Sequence, residues 1–175
     1  MISAVESAIL LEVPDADPLV HELRLEGDVS ASLGVPAHVT LLYPFVDDPD
    51  PGVVEELRWF FAGVDGFRLD FSSVGEFPAV VYLAPDQAAE VSGLIEALVR
   101  RWPSCPPYGG MFAVEDVVPH LTVVATPDAA LRERARAAVA PGLPVRSSAT
   151  EAALWVHEDG SDWRCLARFP FAPPE

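Results

Sequence analysis

The chain predicts an α+β fold with largely antiparallel sheets, assembled from two related halves. Three observations predict it. Strand-like and helix-like segments interleave with hairpin signals, without the regular β-α alternation of a doubly wound parallel sheet. A His-apolar-Thr-apolar pattern occurs at 38–41 and again at 120–123, each time with a proline just upstream and a helical segment downstream. No glycine-rich loop opens a helix to cradle phosphate, and Gly109-Gly110 reads as a turn.

In chain order, Ser7 to Val13 is a β-rich apolar run that ends at Pro14. Asp17 is placed to cap a short helix carrying Leu19, Val20, Leu23 and Leu25. Gly34 and Pro36 break the chain before the strand His38 to Tyr43, which Pro44 closes. An acidic, proline-rich loop from Asp47 to Gly52 leads into a helix from Val53 to about Phe61. Phe67 to Ser73 alternates as one strand, and Ala79 to Leu83 is another. Pro85-Asp86 opens a long helix to about Arg101 with Val91, Leu94, Ile95 and Leu98 on one face. After a Pro/Gly/Cys loop from Trp102 to Gly110 comes the strand His120 to Ala125, then a helix from Pro127-Asp128 to about Ala140. Val145 to Ser148, Ala152 to Val156 and Trp163 to Phe169 are three further strands, with Asp159-Gly160 as the hairpin signal between the last two.

Residues two apart in a strand share a face. His38 and Thr40 therefore point one way and Val39 and Leu41 the other; His120 and Thr122 oppose Leu121 and Val123 in the same manner. Each strand buries an aliphatic face and presents a His/Thr pair. If the halves pack about a pseudo-twofold axis, both pairs meet in one cleft. That set suits a phosphodiester. Imidazole titrates near neutrality and serves as general base or general acid. Threonine hydroxyls donate to the non-bridging oxygens, where charge accumulates. A single such motif is more often a structural strand histidine; two copies at matching places favour chemistry. The other two histidines, His21 and His157, read as a boundary residue and a solvated turn residue.

Composition narrows the partners. The formal net charge is −16 over 175 residues and lysine is absent, so long nucleic acid is disfavoured, because its affinity rests on neutralised phosphates. A small phosphate ester, or a short RNA end held in a local pocket, is compatible with that charge. No apolar run approaches the length of a membrane span, and Met1 to Val13 lacks the pattern of a secretory signal, so a cytoplasmic protein is expected; a monomer is expected because the cleft would form within one chain. Cys105 and Cys165 have neither disulfide-framework nor metal-site spacing, and no Asp/Glu cluster accompanies the histidines, so no metal and no cofactor is expected. Trp155 and Trp163 are candidates to stack on a nucleobase or to pack in the core. Tyr43 and Phe45 are candidates for the pocket rim, with core packing as the alternative. Arg146, Arg164 and Arg168 lie on the C-terminal strands; alternation puts Arg164 and Arg168 on one face, as local positive charge or as a solvated edge.

The pair His38-Val39-Thr40-Leu41 and His120-Leu121-Thr122-Val123 resembles the paired H-x-T-x motifs of the 2H phosphoesterase superfamily, which includes 2′-5′ RNA ligase-like proteins and 2′,3′-cyclic phosphodiesterases. The likeness covers most of the chain: an N-terminal strand, Tyr43-Pro44-Phe45 after the first motif, Pro119 before the second, and a closing strand ending Phe169-Pro170-Phe171. The resemblance implies a bilobal α+β fold with a central cleft, spanning residues 1–175 as one domain. It implies His38 and His120 as acid and base, Thr40 and Thr122 as phosphate ligands, and metal-free opening of a 2′,3′-cyclic phosphate or a related 2′-5′ or cyclic phosphodiester. Members resembling the RNA ligase branch often carry a basic residue soon after the second motif; Val124-Ala125-Thr126 holds none, which argues against joining tRNA halves. The alternatives are a phosphodiesterase for a non-RNA cyclic phosphate and a nucleotide-binding module without turnover.

Overall fold

A computed structural model describes residues 5–173. Seven strands form one antiparallel sheet in the order β4-β5-β6-β2-β1-β8-β9. They are β1 (Val5–Glu12), β2 (His38–Leu42), β4 (Phe71–Phe77), β5 (Val80–Pro85), β6 (Leu121–Ala125), β8 (Glu151–Glu158) and β9 (Arg164–Pro170). A two-stranded ribbon pairs β3 (Phe67–Arg68) with β7 (Ser148–Ala149). The helices are α1 (Asp17–Gly27), α2 (Val29–Ser32), α3 (Pro51–Ala62), α4 (Ala88–Arg101) and α5 (Ala129–Val139).

The strand order is symmetric about the β6–β2 junction: β5 and β1 flank it, then β4 and β8. Each half is built as strand-helix-strand, β1-α1-β2 and β5-α4-β6. The long helix of each half packs against the other half's motif strand, α1 on β6 and α4 on β2. That exchange welds the halves through one continuous core. Ile9, Leu11, Val39, Leu83, Leu121 and Val123 on the sheet meet Val20, Val91, Ile95 and Leu98 from the helices. Each such side chain, removed fully from water, contributes about 1.5–3 kcal/mol before the opposing loss of conformational entropy. The longer helices thus occupy one face of the central strands and leave the opposite face for the site, where the short α2 forms part of the wall.

Local chemistry sets most boundaries. Asp50 caps α3, accepting from the Val53 amide at 2.9 Å, with Pro51 in the first turn. Asp128 caps α5 by accepting from the amides of Ala130 and Leu131. Asp17 does not cap α1; its carboxylate accepts from the Ala37 amide at 3.3 Å, tying the helix start to the residue before His38.

The strand expected over 67–73 is split. Asp70, 3% exposed, sits between its two parts, accepting from Arg68, Arg146 and the Ser147 amide, while its own amide donates to Gln87. With its amide donating to the Gln87 side chain and its carbonyl accepting from the Asp86 amide, Asp70 lies where the chain passes from pairing with β7 to pairing with β5. Of the strand expected over 145–148 only Ser148 enters the ribbon; the Ser147 carbonyl accepts from the Leu69 amide and Val145 bridges singly to Phe71.

Candidate active site

The two motif strands are neighbours. β2 and β6 pair antiparallel with Val39 opposite Leu121, both fully buried. That register sets His38 across from Thr122 and Thr40 across from His120, all four on the face opposite the long helices. Directly opposed side chains have Cβ atoms about 4.5–5.5 Å apart and diagonal ones about 7–8 Å. The imidazoles therefore lie on one diagonal and the hydroxyls on the other, with each histidine beside the other half's threonine.

A β-bulge follows the threonine in both strands. On β1, Leu10 faces Thr40 while Ile9 faces Leu42, so Leu41 is the additional residue. On β5, Tyr82 faces Thr122 while Val81 faces Val124, so Val123 is the additional residue. Leu41, Leu42, Val123 and Val124 are all buried in the core. An extra residue in one strand bends it and re-aims the side chains that follow. The last position of each four-residue pattern is thus the point where the strand turns away from the site.

Both rings are oriented alike. His38 Nδ1 lies 2.8 Å from the Pro36 carbonyl oxygen, and His120 Nδ1 lies 2.8 Å from the Val118 carbonyl oxygen, each two residues back. A carbonyl only accepts, so Nδ1 carries the proton in the neutral ring and Nε2 is left for a substrate. Burial lowers the pKa of both imidazoles. For His38 the Pro36 carbonyl opposes that shift, and the positive charges of Arg24 and His120 add to it. For His120 the Val118 carbonyl opposes it.

A hollow of about 300 Å³ opens beside His38 and another of about 480 Å³ beside His120. The first is walled by Val29, Ser30, Leu33 and Val35 on one side and by Tyr43, His157 and Trp163 on another, over a floor of Ala8 and Leu10. The second is almost wholly apolar: Phe77, Pro78, Tyr108, Phe112, Val117 and Val118, with Asp116 the one carboxylate among the described residues. There Tyr82 stacks on Phe77 at 4.4 Å between centroids, and both rings meet His120 edge-on at 5.5 and 5.1 Å. Gly75 permits this, because a Cβ there would lie 2.3 Å from the Tyr82 ring. A third, larger hollow of about 640 Å³, containing Arg68, Asp70 and Arg146, includes neither histidine.

The structure brings His38, Thr40, His120, Thr122 and Tyr43 to this face. Tyr43 donates to Glu6 at 2.8 Å, and burial together with that carboxylate pushes its phenol up to about 12. Phe45 instead points into the core, 5% exposed, edge-on to Trp102 at 5.5 Å. The Leu41 bulge and the end of the strand at Leu42 separate these two side chains. Trp155 packs in a small cluster with Ala8, Leu10, Val35 and Ala153, its Nε1 donating to Glu12 at 2.8 Å, and Trp163 is the tryptophan that reaches the hollow. His157 is not a solvated turn residue: it stacks on Trp163, 5.1 Å between centroids and 18° between planes, with Nδ1 3.1 Å from Glu6 and Nε2 3.0 Å from the Ser161 carbonyl oxygen.

Arg164 and Arg168 do not share a face. A bulge on β9 puts Arg168 opposite Ala153 on the site face and Arg164 opposite Val156 on the other. Arg168 is paired with Glu12 and Glu151, and Arg146 with Asp70. Sequence reasoning passed over Arg24, which is 1% exposed and holds the wall beside His38. Its guanidinium donates to Asp28, to the Val35 carbonyl and to Ser30. No periodic signal marks it, since the helical pattern of α1 shows an arginine but not the acceptors that α2 and Val35 bring. Among the described residues no three His, Cys, Asp or Glu side chains gather into a metal-binding group, and no helix is long and apolar enough to cross a membrane.

The same architecture occurs in solved structures. The chain is similar to LigT of E. coli complexed with NADP+, at 19% sequence identity over 97% of this chain and 98% of that chain, with a TM-score of 0.61. LigT in apo form gives 17% identity over 99% of both chains and a TM-score of 0.59. TT0787 of Thermus thermophilus gives 16% identity over 97% of this chain and 100% of that chain, and a TM-score of 0.54. At these identities the likeness is one of fold. No curated protein matches the sequence. The family model for the 2′-5′ RNA ligase superfamily matches residues 12–161, a span containing both histidine strands, and the chain belongs to that superfamily, the 2H phosphoesterases.

Proposed function

We propose that this protein is a metal-independent phosphodiesterase that opens 2′,3′-cyclic phosphates of small nucleotides or RNA ends. The observation that carries the reading is the pair of imidazoles fixed through Nδ1 on adjacent strands, each beside a threonine. A cyclic phosphate seated over the Val39–Leu121 junction would have Nε2 of one ring near the attacking water and Nε2 of the other near the departing ribose oxygen. The neutral ring takes the proton of the water as its oxygen bonds to phosphorus. The protonated ring gives its proton to the 2′ or 3′ oxygen as that P–O bond breaks. One water is consumed and a phosphomonoester remains. Thr40 and Thr122 donate to the non-bridging oxygens on which charge accumulates. Holding reactants and catalytic groups in one geometry supplies much of the acceleration.

The test is hydrolysis of nucleoside 2′,3′-cyclic phosphates by protein stripped with EDTA. Turnover is expected to survive the chelator. His38→Ala and His120→Ala are each expected to lose at least about 100- to 10,000-fold in kcat while keeping the wild-type unfolding transition. Undiminished turnover in either variant overturns the assignment.

A further inference from the structure

The two hollows differ in chemistry although the histidines are held alike, and the difference specifies which ring the site takes. We propose that the hollow beside His38 is a guanine-selective base subsite whose specificity determinant is the Glu6 carboxylate. This rests on the nucleotide reading above and extends it to the base.

The hollow runs along β1. Thr40 faces Leu10, and Ala8 and Glu6 follow at alternate positions on the same face. At about 3.3 Å per residue, Glu6 sits roughly 13 Å from Leu10 along the strand. The glutamate side chain reaches back over part of that span, which leaves a nucleoside's length between a phosphate beside Thr40, opposite Leu10, and the carboxylate. The floor between them is apolar and low, Ala8 and Leu10, and Trp163 lines the side, held edge-on to Tyr43 at 6.2 Å between centroids. A flat ring fits that slot. The volume, about 300 Å³, is at the lower end of small-molecule sites, about 300–1,000 Å³.

Glu6 is fixed rather than mobile. Its Oε2 accepts from the Tyr43 hydroxyl at 2.8 Å and its Oε1 lies 3.1 Å from His157 Nδ1. An ionised carboxylate offers about four lone-pair sites, so each oxygen keeps one for a ligand. Two acceptors side by side match two adjacent N–H donors. Guanine presents such a pair on its N1 and its 2-amino group. Adenine and cytosine set an acceptor nitrogen next to their amino group, facing the carboxylate with a lone pair. Uracil has one N–H between two carbonyls. Glu6 is 37% exposed at its side chain, so the preference comes from the two bonds gained: a ring with two adjacent donors replaces the water on both oxygens, and a ring that offers a lone pair there displaces that water without replacing its bonds. No arginine lines either hollow. All eleven arginines of the chain lie among the described residues, so nothing in these walls favours a second phosphate over the base.

The experiment measures kcat/KM of the wild-type protein on guanosine, inosine, adenosine, cytidine and uridine 2′,3′-cyclic phosphates, then repeats the series with Glu6→Gln and Glu6→Ala. Guanosine is expected to lead adenosine by about 5- to 100-fold, with inosine between, mostly through KM. Glu6→Ala is expected to level the series, and Glu6→Gln to shrink the guanosine lead while keeping an acceptor for Tyr43. Equal rates across the bases, or a guanosine preference that survives both variants, overturns the proposal. The inosine comparison needs no variant and stands if either substitution fails to fold. Equilibrium binding of guanosine and adenosine 3′-monophosphates separates the two readings. A Glu6-dependent preference in binding without turnover keeps the subsite and removes the phosphodiesterase. Turnover with base-blind binding does the reverse.

Discussion

Removing the Arg24 guanidinium tests the link between a buried ion pair and the histidine it stands beside. Arg24 and Asp28 lie 3.0 Å apart with side chains 1% and 10% exposed. Taking one partner from a buried pair leaves an uncompensated charge and costs about 3–5 kcal/mol. Here Arg24→Met also strips the Val35 carbonyl and Ser30 of a donor, so the upper part of that range is expected. For a chain of this length that is a fall in Tm of roughly 8–20 °C. Urea unfolding at pH 7 measures the free-energy loss and thermal unfolding the shift in Tm.

Asp28 caps α2 by accepting from the Ser30 amide, so Arg24→Met/Asp28→Asn keeps an acceptor at the cap and removes the stranded charge. This double variant is expected to recover about half of the loss. Function gives the second readout. Arg24 is among the groups that lower the pKa of His38, and Asp28 among those that raise it. Deleting the cation moves His38 upward, and loosening the wall admits water and moves it the same way. The limb of the pH–rate profile that His38 governs, the acidic one if it is the base and the basic one if it is the acid, therefore shifts to higher pH in Arg24→Met. A loss below about 1 kcal/mol, or a profile in which neither limb moves up, would refute the reasoning.

Two further outcomes follow from the same geometry. Gly75→Ala places a Cβ 2.3 Å from the Tyr82 ring, whose neighbours are Phe77 and His120; overpacking of this kind costs about 1–3 kcal/mol, and kcat should fall with Tm. Gly75→Ala/Tyr82→Leu relieves the clash and is expected to restore Tm toward that of Tyr82→Leu alone; strict additivity of the two changes would show that no clash exists. Burial disfavours the charged form of both His38 and His120, so the unfolded chain binds protons there more readily than the folded one. Their contribution to stability is complete above about pH 6.5 and is lost as pH falls from there through the lowered folded values. Unfolding free energies at intervals from pH 8 to 5 should show that decline, and His38→Gln/His120→Gln should flatten it; an unchanged slope in the variant would count against the burial of the rings.

The sequence carries the chemistry of the site but not the arrangement that completes it. His38, Thr40, His120 and Thr122 are legible because period two and a repeated pattern act within single strands. That each histidine stands beside the other half's threonine depends on β2 pairing with β6, a contact between residues some eighty positions apart that no local rule reports. Alternation also fails wherever a bulge adds a residue. It predicts Arg164 and Arg168 on one face, and the β9 bulge separates them. It puts Tyr43 with Val39 and Leu41 on the core face, yet Tyr43 lines the hollow. Arg24 and Glu6 look like ordinary charged residues until acceptors and donors from distant segments surround them.

The bulges explain why two aliphatic residues follow each threonine. In a regular strand the second residue after Thr40 would rejoin the site face, and Leu42 would intrude between the two hollows. With Leu41 inserted opposite β1, both Leu41 and Leu42 enter the core, and the strand bends just past the hydroxyl. Val123 and Val124 repeat the device against β5. The face is thereby cleared on both sides of a four-residue centre, which leaves room for a phosphorus between the imidazoles and for a different group on either flank. The local symmetry holds the two imidazoles equivalently, while their flanks differ. A slot ending in the Glu6 carboxylate and an aromatic chamber around His120 differ in which end of one molecule they would receive. On the proposed mechanism the direction of proton transfer would then follow substrate orientation, set by residues outside both motifs.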